Sequence, residues 1–130
     1  MHAVVASVLL AVPLGADPKA LKDQPYAEPK NPRQLVDVYS PPEGTGHPIL
    51  VFIHGGGWKR GDKSGVGRKP AAFTEKGYVL VAPSYRFVPD VTVKEMTGDI
   101  ARAIRWTRDH AKEFGGDPDR IVVMGHSAGA

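Results

Sequence analysis

The chain contains no cysteine among its 130 residues, which rules out a disulfide framework, a zinc–thiolate centre and a cysteine nucleophile. No apolar run approaches the roughly 18 residues that a membrane-spanning helix needs, so no membrane span is expected. Neither sign of charge dominates: 17 Lys and Arg stand against 14 Asp and Glu, a net charge of +3. With no Lys/Arg run longer than two residues, that excess argues against nucleic acid as a partner. There is no internal repeat, no low-complexity tract, no metal-ligand cluster and no phosphate loop, so no cofactor and no metal is implied. Nothing in the pattern specifies an oligomeric state. What is plentiful is the pair that shapes backbone, 15 glycines and 12 prolines, which predicts many tight turns and loops. With 42% apolar and 24% charged residues, the chain reads as one soluble globular domain and not as a disordered tail.

Ala3 to Leu14 is an uncharged apolar stretch ended by Pro13, Gly15 and Ala16. It fits a secretory signal over residues 1–16, with a mature chain starting near Asp17 outside the cytoplasm. The competing description is a buried N-terminal segment of a cytoplasmic protein, or a misassigned start. Residues 17–33 carry four prolines and read as an extended lead-in. From residue 34 onward the pattern is regular. Leu35–Tyr39 alternates as a half-buried strand and stops at Pro41-Pro42. Ile49–Ile53, Tyr78–Ala82 and Ile121–Met124 are continuous apolar runs, the signature of strands covered on both faces. A short helix fits Pro70 to Lys76, stopped by Gly77. Thr92-Val-Lys-Glu95 matches a capping box, followed by a stripe of Met96, Ile100, Ala103, Ile104, Thr107 and Ala111 that ends at Gly115-Gly116. Asp117–Arg120 reads as a turn. Strands alternating with helices predict an α/β fold with a mostly parallel sheet. Ligands in such sheets sit at the carboxyl ends of the strands, where both glycine-rich motifs fall.

The first motif is Gly125-His126-Ser127-Ala128-Gly129, directly after a predicted buried strand. A serine on a tight strand-to-helix turn is held strained with its oxygen exposed, and glycines on either side remove side chains that would clash there. The amide of Ala128, at the start of the following helix, can bind a developing oxyanion. The second motif is His54-Gly55-Gly56-Gly57-Trp58, whose bare amides can approach a ligand closely. An acyl-transfer site needs two such donors beside the reacting carbonyl oxygen.

Together with Tyr85-Arg86, Ile104-Arg105-Trp106 and Asp117-Pro-Asp-Arg-Ile121, these motifs resemble the α/β-hydrolase superfamily. Within it, residues 34–130 resemble the hormone-sensitive-lipase-like and bacterial carboxylesterase group. The resemblance implies Ser127 as catalytic nucleophile. It also implies an oxyanion hole from the amides of Gly56, Gly57 and Ala128, with Gly55 as a candidate further contributor. His54 would shape the oxyanion loop. The substrate would be a small-molecule carboxylic ester, with acetylated sugars, feruloyl esters and aryl formamides among the classes used by relatives.

Other residues read more plainly. Trp58 either lines the substrate pocket or packs the loop. His126, next to the serine, is expected to point away from it. Asp99 is expected to face solvent or the first-turn dipole of its helix, and Trp106 to pack it. Lys59, Arg60, Asp62 and Lys63 read as a solvated loop face. The superfamily's order of nucleophile, acid and histidine places the last two after Ser127, where this sequence has only Ala128, Gly129 and Ala130. The expectation is therefore the N-terminal part of a longer hydrolase, truncated just after the nucleophile elbow. These 130 residues alone would be inactive and unstable as a monomer. Two alternatives to an esterase remain: a non-catalytic ligand-binding protein on the same scaffold, and a serine peptidase of the prolyl-oligopeptidase kind.

Overall fold

A computed structural model of the protein describes residues 16–130. The apolar stretch expected to be a signal lies, but for its last residue Ala16, outside the described residues. Five strands form one sheet: β1 (Lys19–Pro25), β2 (Leu35–Ser40), β3 (His47–Ile53), β4 (Val79–Pro83) and β5 (Gly116–Gly125). Two helices flank it, α1 (Lys69–Glu75) and α2 (Val93–His110), and single 3-10 turns follow at Ala111–Phe114 and Ser127–Gly129. The spatial order is β1-β2-β4-β3-β5. The strands of the repeating strand–helix pattern, β3, β4 and β5, pair in parallel, whereas β1 and β2 extend the sheet in antiparallel fashion. Among the described residues no helix is long and apolar enough to cross a membrane.

Side chains alternate across the central strands, and each face meets its own helix. Ile49, Val51 and Ile53 of β3, with Val79 and Val81 of β4, pack under Met96, Ala103 and Ala111 on the α2 side. Leu50, Phe52 and Leu80 pack on the opposite face with Val66 and Phe73 of the α1 side. The capping box of α2 is present: Glu95 N donates to Thr92 Oγ1 at 3.2 Å, and Thr92 N donates to Glu95 Oε2 at 2.7 Å. Gly115, at φ 79°, closes the turn after the helix in the left-handed conformation that glycine adopts freely.

Three sequence expectations change in the fold. The lead-in carries β1, a strand its prolines and charges disguise; it is a sheet edge guarded by lysines and by a bulge at Asp23, whose φ is 57°. Asp117–Arg120 makes its turn within β5, where the register jumps from His47↔Gly116 to Ile49↔Ile121. There Asp119 N and Arg120 Nε both donate to the Asp117 carboxylate, at 2.9 and 2.8 Å. Lastly, among the described residues Ile121–Met124 is only partly covered, with Ile121 packed on the α2 side and Met124 on the opposite face. Strand β5 lies at the sheet edge, and Val122 and Val123 are 57% and 49% exposed.

Candidate active site

The two glycine motifs end the neighbouring parallel strands β3 and β5, so the fold brings them together. Their interlock is steric. A Cβ on Gly129 would lie 2.5 Å from the Ile53 carbonyl oxygen and 2.6 Å from that of His54. One on Gly125 would lie 2.2 Å from Gly129 O, and one on Gly55 would lie 2.8 Å from His126 O and 3.1 Å from Ser127 Cβ. Side chains at these three positions would push the turns apart. His126 N donates to Ile53 O at 3.1 Å, and Trp58 Nε1 donates to Ala128 O at 3.1 Å, which stitches the second turn to the first. Ser127 sits at φ 53°, a left-handed conformation that costs a serine energy and persists where the surroundings impose it. Its side chain is exposed.

The first turn is held from the side of β4. His54 is buried, and its Nδ1 donates to Gly55 O at 2.7 Å, since a carbonyl can only accept. Its Nε2 then carries the lone pair, buried and without a partner among the described residues. Burial holds the His54 pKa below the ordinary imidazole value, and its ring stacks on Tyr85 at 4.5 Å. Tyr85 Oη donates to His54 O at 2.6 Å. Beyond this brace, Gly56 and Gly57 take φ 137° and 61°, and Trp58 takes φ 64°. Among the described residues the amides of Gly55, Gly56 and Gly57 donate to no protein acceptor, leaving them available to a ligand. Gly56 O instead accepts from the amides of Lys59 and Arg60, each at 3.2 Å.

Residue by residue, Ser127, Gly55, Gly56, Gly57, His54 and His126 line one cleft of about 740 Å³. Trp58, half exposed, lines a second depression of about 370 Å³ that Ser127 also borders, together with Ala128. No histidine hydrogen-bonds to Ser127 among the described residues: His47 donates to Glu43 O, His110 to Trp106 O and His54 to Gly55 O. His126 lines the same cleft as the serine and makes no hydrogen bond to it. Among the described residues no group of His, Asp and Glu is placed to hold a metal ion.

Sequence reasoning misplaced several charged residues. Asp99 faces neither solvent nor the helix start; it is fully buried and accepts from Arg86 N, Nε and Nη2 at 3.1, 2.9 and 2.8 Å, and from Gln34 Nε2 at 2.8 Å. This pins the Tyr85–Phe87 segment that braces His54. Lys63 is no part of a solvated face either, because it bridges Asp23 at 2.7 Å and the buried Asp37 at 2.9 Å. Arg60 and Asp62 are exposed, as expected of a solvated loop face, and that face borders the cleft that Ser127 also lines. An aspartate inside the apolar run Leu35-Val-Asp-Val-Tyr39 was the available signal that a cation must come to it.

Residues 36–130 match the BD-FAE family. The chain belongs to that family. It is 37% identical over 101 residues to an Arabidopsis thaliana protein named "Probable isoprenylcysteine alpha-carbonyl methylesterase ICMEL2", covering 77% of this chain and 24% of that one. Among solved structures it superposes on esterase B of Lactobacillus rhamnosis with a TM-score of 0.78 and 29% identity, covering 87% of this chain and 36% of that one. An esterase from Thermogutta terrifontis gives 0.72 and 32%, covering 85% and 41%. These relatives are esterases, and the shared fold is that of α/β-hydrolases. The chain spans about a quarter of the length of the curated relatives it matches.

Proposed function

We propose that the intact protein hydrolyses small carboxylic esters through an acyl-enzyme on Ser127. The observation that supports this most directly is the seating of a positive-φ serine against a triple-glycine turn with unoccupied amides. Ser127 Oγ would attack the ester carbonyl carbon while a histidine takes its proton. The carbonyl oxygen, now an oxyanion, would receive hydrogen bonds from the Gly56, Gly57 and Ala128 amides, with Gly55 adjacent. Collapse of that intermediate expels the alcohol and leaves the acyl group on Ser127, and water then releases the acid by the same route. His54 serves the loop and not the proton, since its ring is buried, stacked on Tyr85 and not hydrogen-bonded to Ser127. Trp58 forms one wall of the substrate pocket. Because no described histidine reaches Ser127, the base is supplied by sequence outside these 130 residues. Without it, catalysis falls to the background of roughly 10³–10⁴ over water that an oxyanion hole and binding sustain. Secretion, with a mature terminus near Asp17, belongs to the same proposal; N-terminal sequencing of protein from the cell exterior checks it, and an intact Met1 on cytoplasmic material refutes it.

A fluorophosphonate probe tests the central claim. It should label the intact protein at Ser127, and Ser127→Ala should abolish labelling and ester turnover together. Labelling that persists at another serine overturns the assignment.

A further inference from the structure

The cleft beside Ser127 carries two cations, Arg60 and Lys69, and neither is in an ion pair among the described residues. Lys69 is held at the wall and Arg60 stands at the rim. Lys69 is half-buried with its Nζ over the Phe52 ring, 4.4 Å from the centroid, and Phe52 lines the same cleft. Arg60 is exposed at the cleft rim, and only its backbone is fixed, by the amide bond to Gly56 O. One carboxylate shares the wall, Asp62, which accepts from the Ser64 amide at 2.8 Å and from Ser84 Oγ at 3.4 Å; these neutral donors leave its charge in place, so the cleft holds two cations against one anion. Cations in a cleft with low-dielectric walls concentrate the opposite charge, and a ligand anion completes what the protein leaves unpaired. The second depression that Ser127 borders is different in kind, walled by Val93, Met96 and Ile100.

Resting on the esterase reading above, we propose that the substrate is an ester bearing a free carboxylate, such as a half-ester of a dicarboxylic acid. Its carboxylate faces the Arg60 and Lys69 wall, and its uncharged part lies in the depression walled by Met96. The serine thus borders both an anion-seeking part of the site and an apolar part, which sets both the substrate's class and its orientation.

Binding is measured first, on the intact protein carrying Ser127→Ala, with monomethyl glutarate against dimethyl glutarate by calorimetry. The half-ester should bind more tightly, and Arg60→Gln and Lys69→Met should each reduce that preference by about three- to fivefold. Lys69→Met keeps an apolar stem over Phe52, so folding is preserved. Added salt should shrink the preference, and Arg105→Gln, on an exposed side chain of α2, should leave it unchanged. Equal affinity for the two esters, or a preference that survives in the double variant, overturns the proposal. The second measurement, labelling of the wild type by a neutral fluorophosphonate, separates the two readings. Labelling at Ser127 without a half-ester preference refutes this inference alone. A preference without labelling upholds the carboxylate site and refutes the serine esterase.

Discussion

The turn after β3 and the turn after β5 end neighbouring parallel strands and are both rich in glycine, but they are anchored very differently. The first has a buried histidine stacked on Tyr85, a hydrogen bond from Tyr85 Oη to His54 O, and another from Val88 N to Trp58 O. The second carries Ser127, at φ 53°, just after β5. It rests on the first through His126 N, Trp58 Nε1 and the packing of Gly129 against the β3 carbonyls. The lesson is one of hierarchy. Contacts run from Asp99 and Arg86, through Tyr85, to the His54–Trp58 turn, and from that turn to the turn that carries Ser127.

The hierarchy breaks most severely at its source. Asp99→Ala removes the acceptor of four hydrogen bonds from Arg86 and Gln34 and leaves a guanidinium without its partner. It should cost about 3–5 kcal/mol, read as a lowered urea midpoint of the intact protein. A loss under about 1 kcal/mol would show that the first turn is anchored elsewhere. The same group predicts acid sensitivity. Burial raises the Asp99 pKa, but the Arg86 and Gln34 hydrogen bonds outweigh burial and leave it below the ordinary carboxylate value. A carboxyl whose pKa is lowered on folding contributes stability above its unfolded pKa and loses it as pH falls through the folded value. Stability should therefore drop below about pH 4, and Asp99→Asn should flatten that part of the profile.

Next comes the contact between the turns. Gly129→Ala places a Cβ 2.5 Å from the Ile53 carbonyl oxygen and 2.6 Å from that of His54 and must shift the elbow. Fluorophosphonate labelling of Ser127 should slow by about 10²-fold while the urea midpoint moves less than for Asp99→Ala. A midpoint that falls further than labelling would reverse the proposed order of dependence. Smallest is Trp58→Phe, which deletes the indole hydrogen bond to Ala128 O and keeps an aromatic wall. Its cost should be about 0.5–1.5 kcal/mol, appearing as a few-fold slower labelling. An unchanged rate would mean that the glycine packing alone seats the elbow.

Much of this site is legible in the residues themselves. Continuous β-branched runs mark β3 and β4 because a strand covered on both faces has no polar side to display. The Thr92–Glu95 box marks the start of α2 because its bonds close within four residues. Glycines flanking Ser127 mark the elbow because the turn's geometry excludes a Cβ there. The charged residues were not legible in the same way. Lys63, Arg60 and Asp62 look alike as a polar loop, yet one neutralises a buried carboxylate and the others line the cleft. Asp99 looks like one more helical aspartate until Arg86, on the segment after β4, is folded against it.

The sequence by itself determined the local backbone: which segments extend, where α2 begins, and which two turns can bring bare amides close to a serine. These features depend on residues within a few positions of one another, so side-chain size and backbone freedom decide them. The tertiary structure alone decided that the two turns meet, that Tyr85 braces His54, that Asp37 and Asp99 are buried with cations, and that Arg60 and Lys69 face the same cleft as Ser127. Each of these couples residues distant along the chain. Its energy comes from desolvation and charge pairing, and these take a value only once the sheet has set which segments are neighbours.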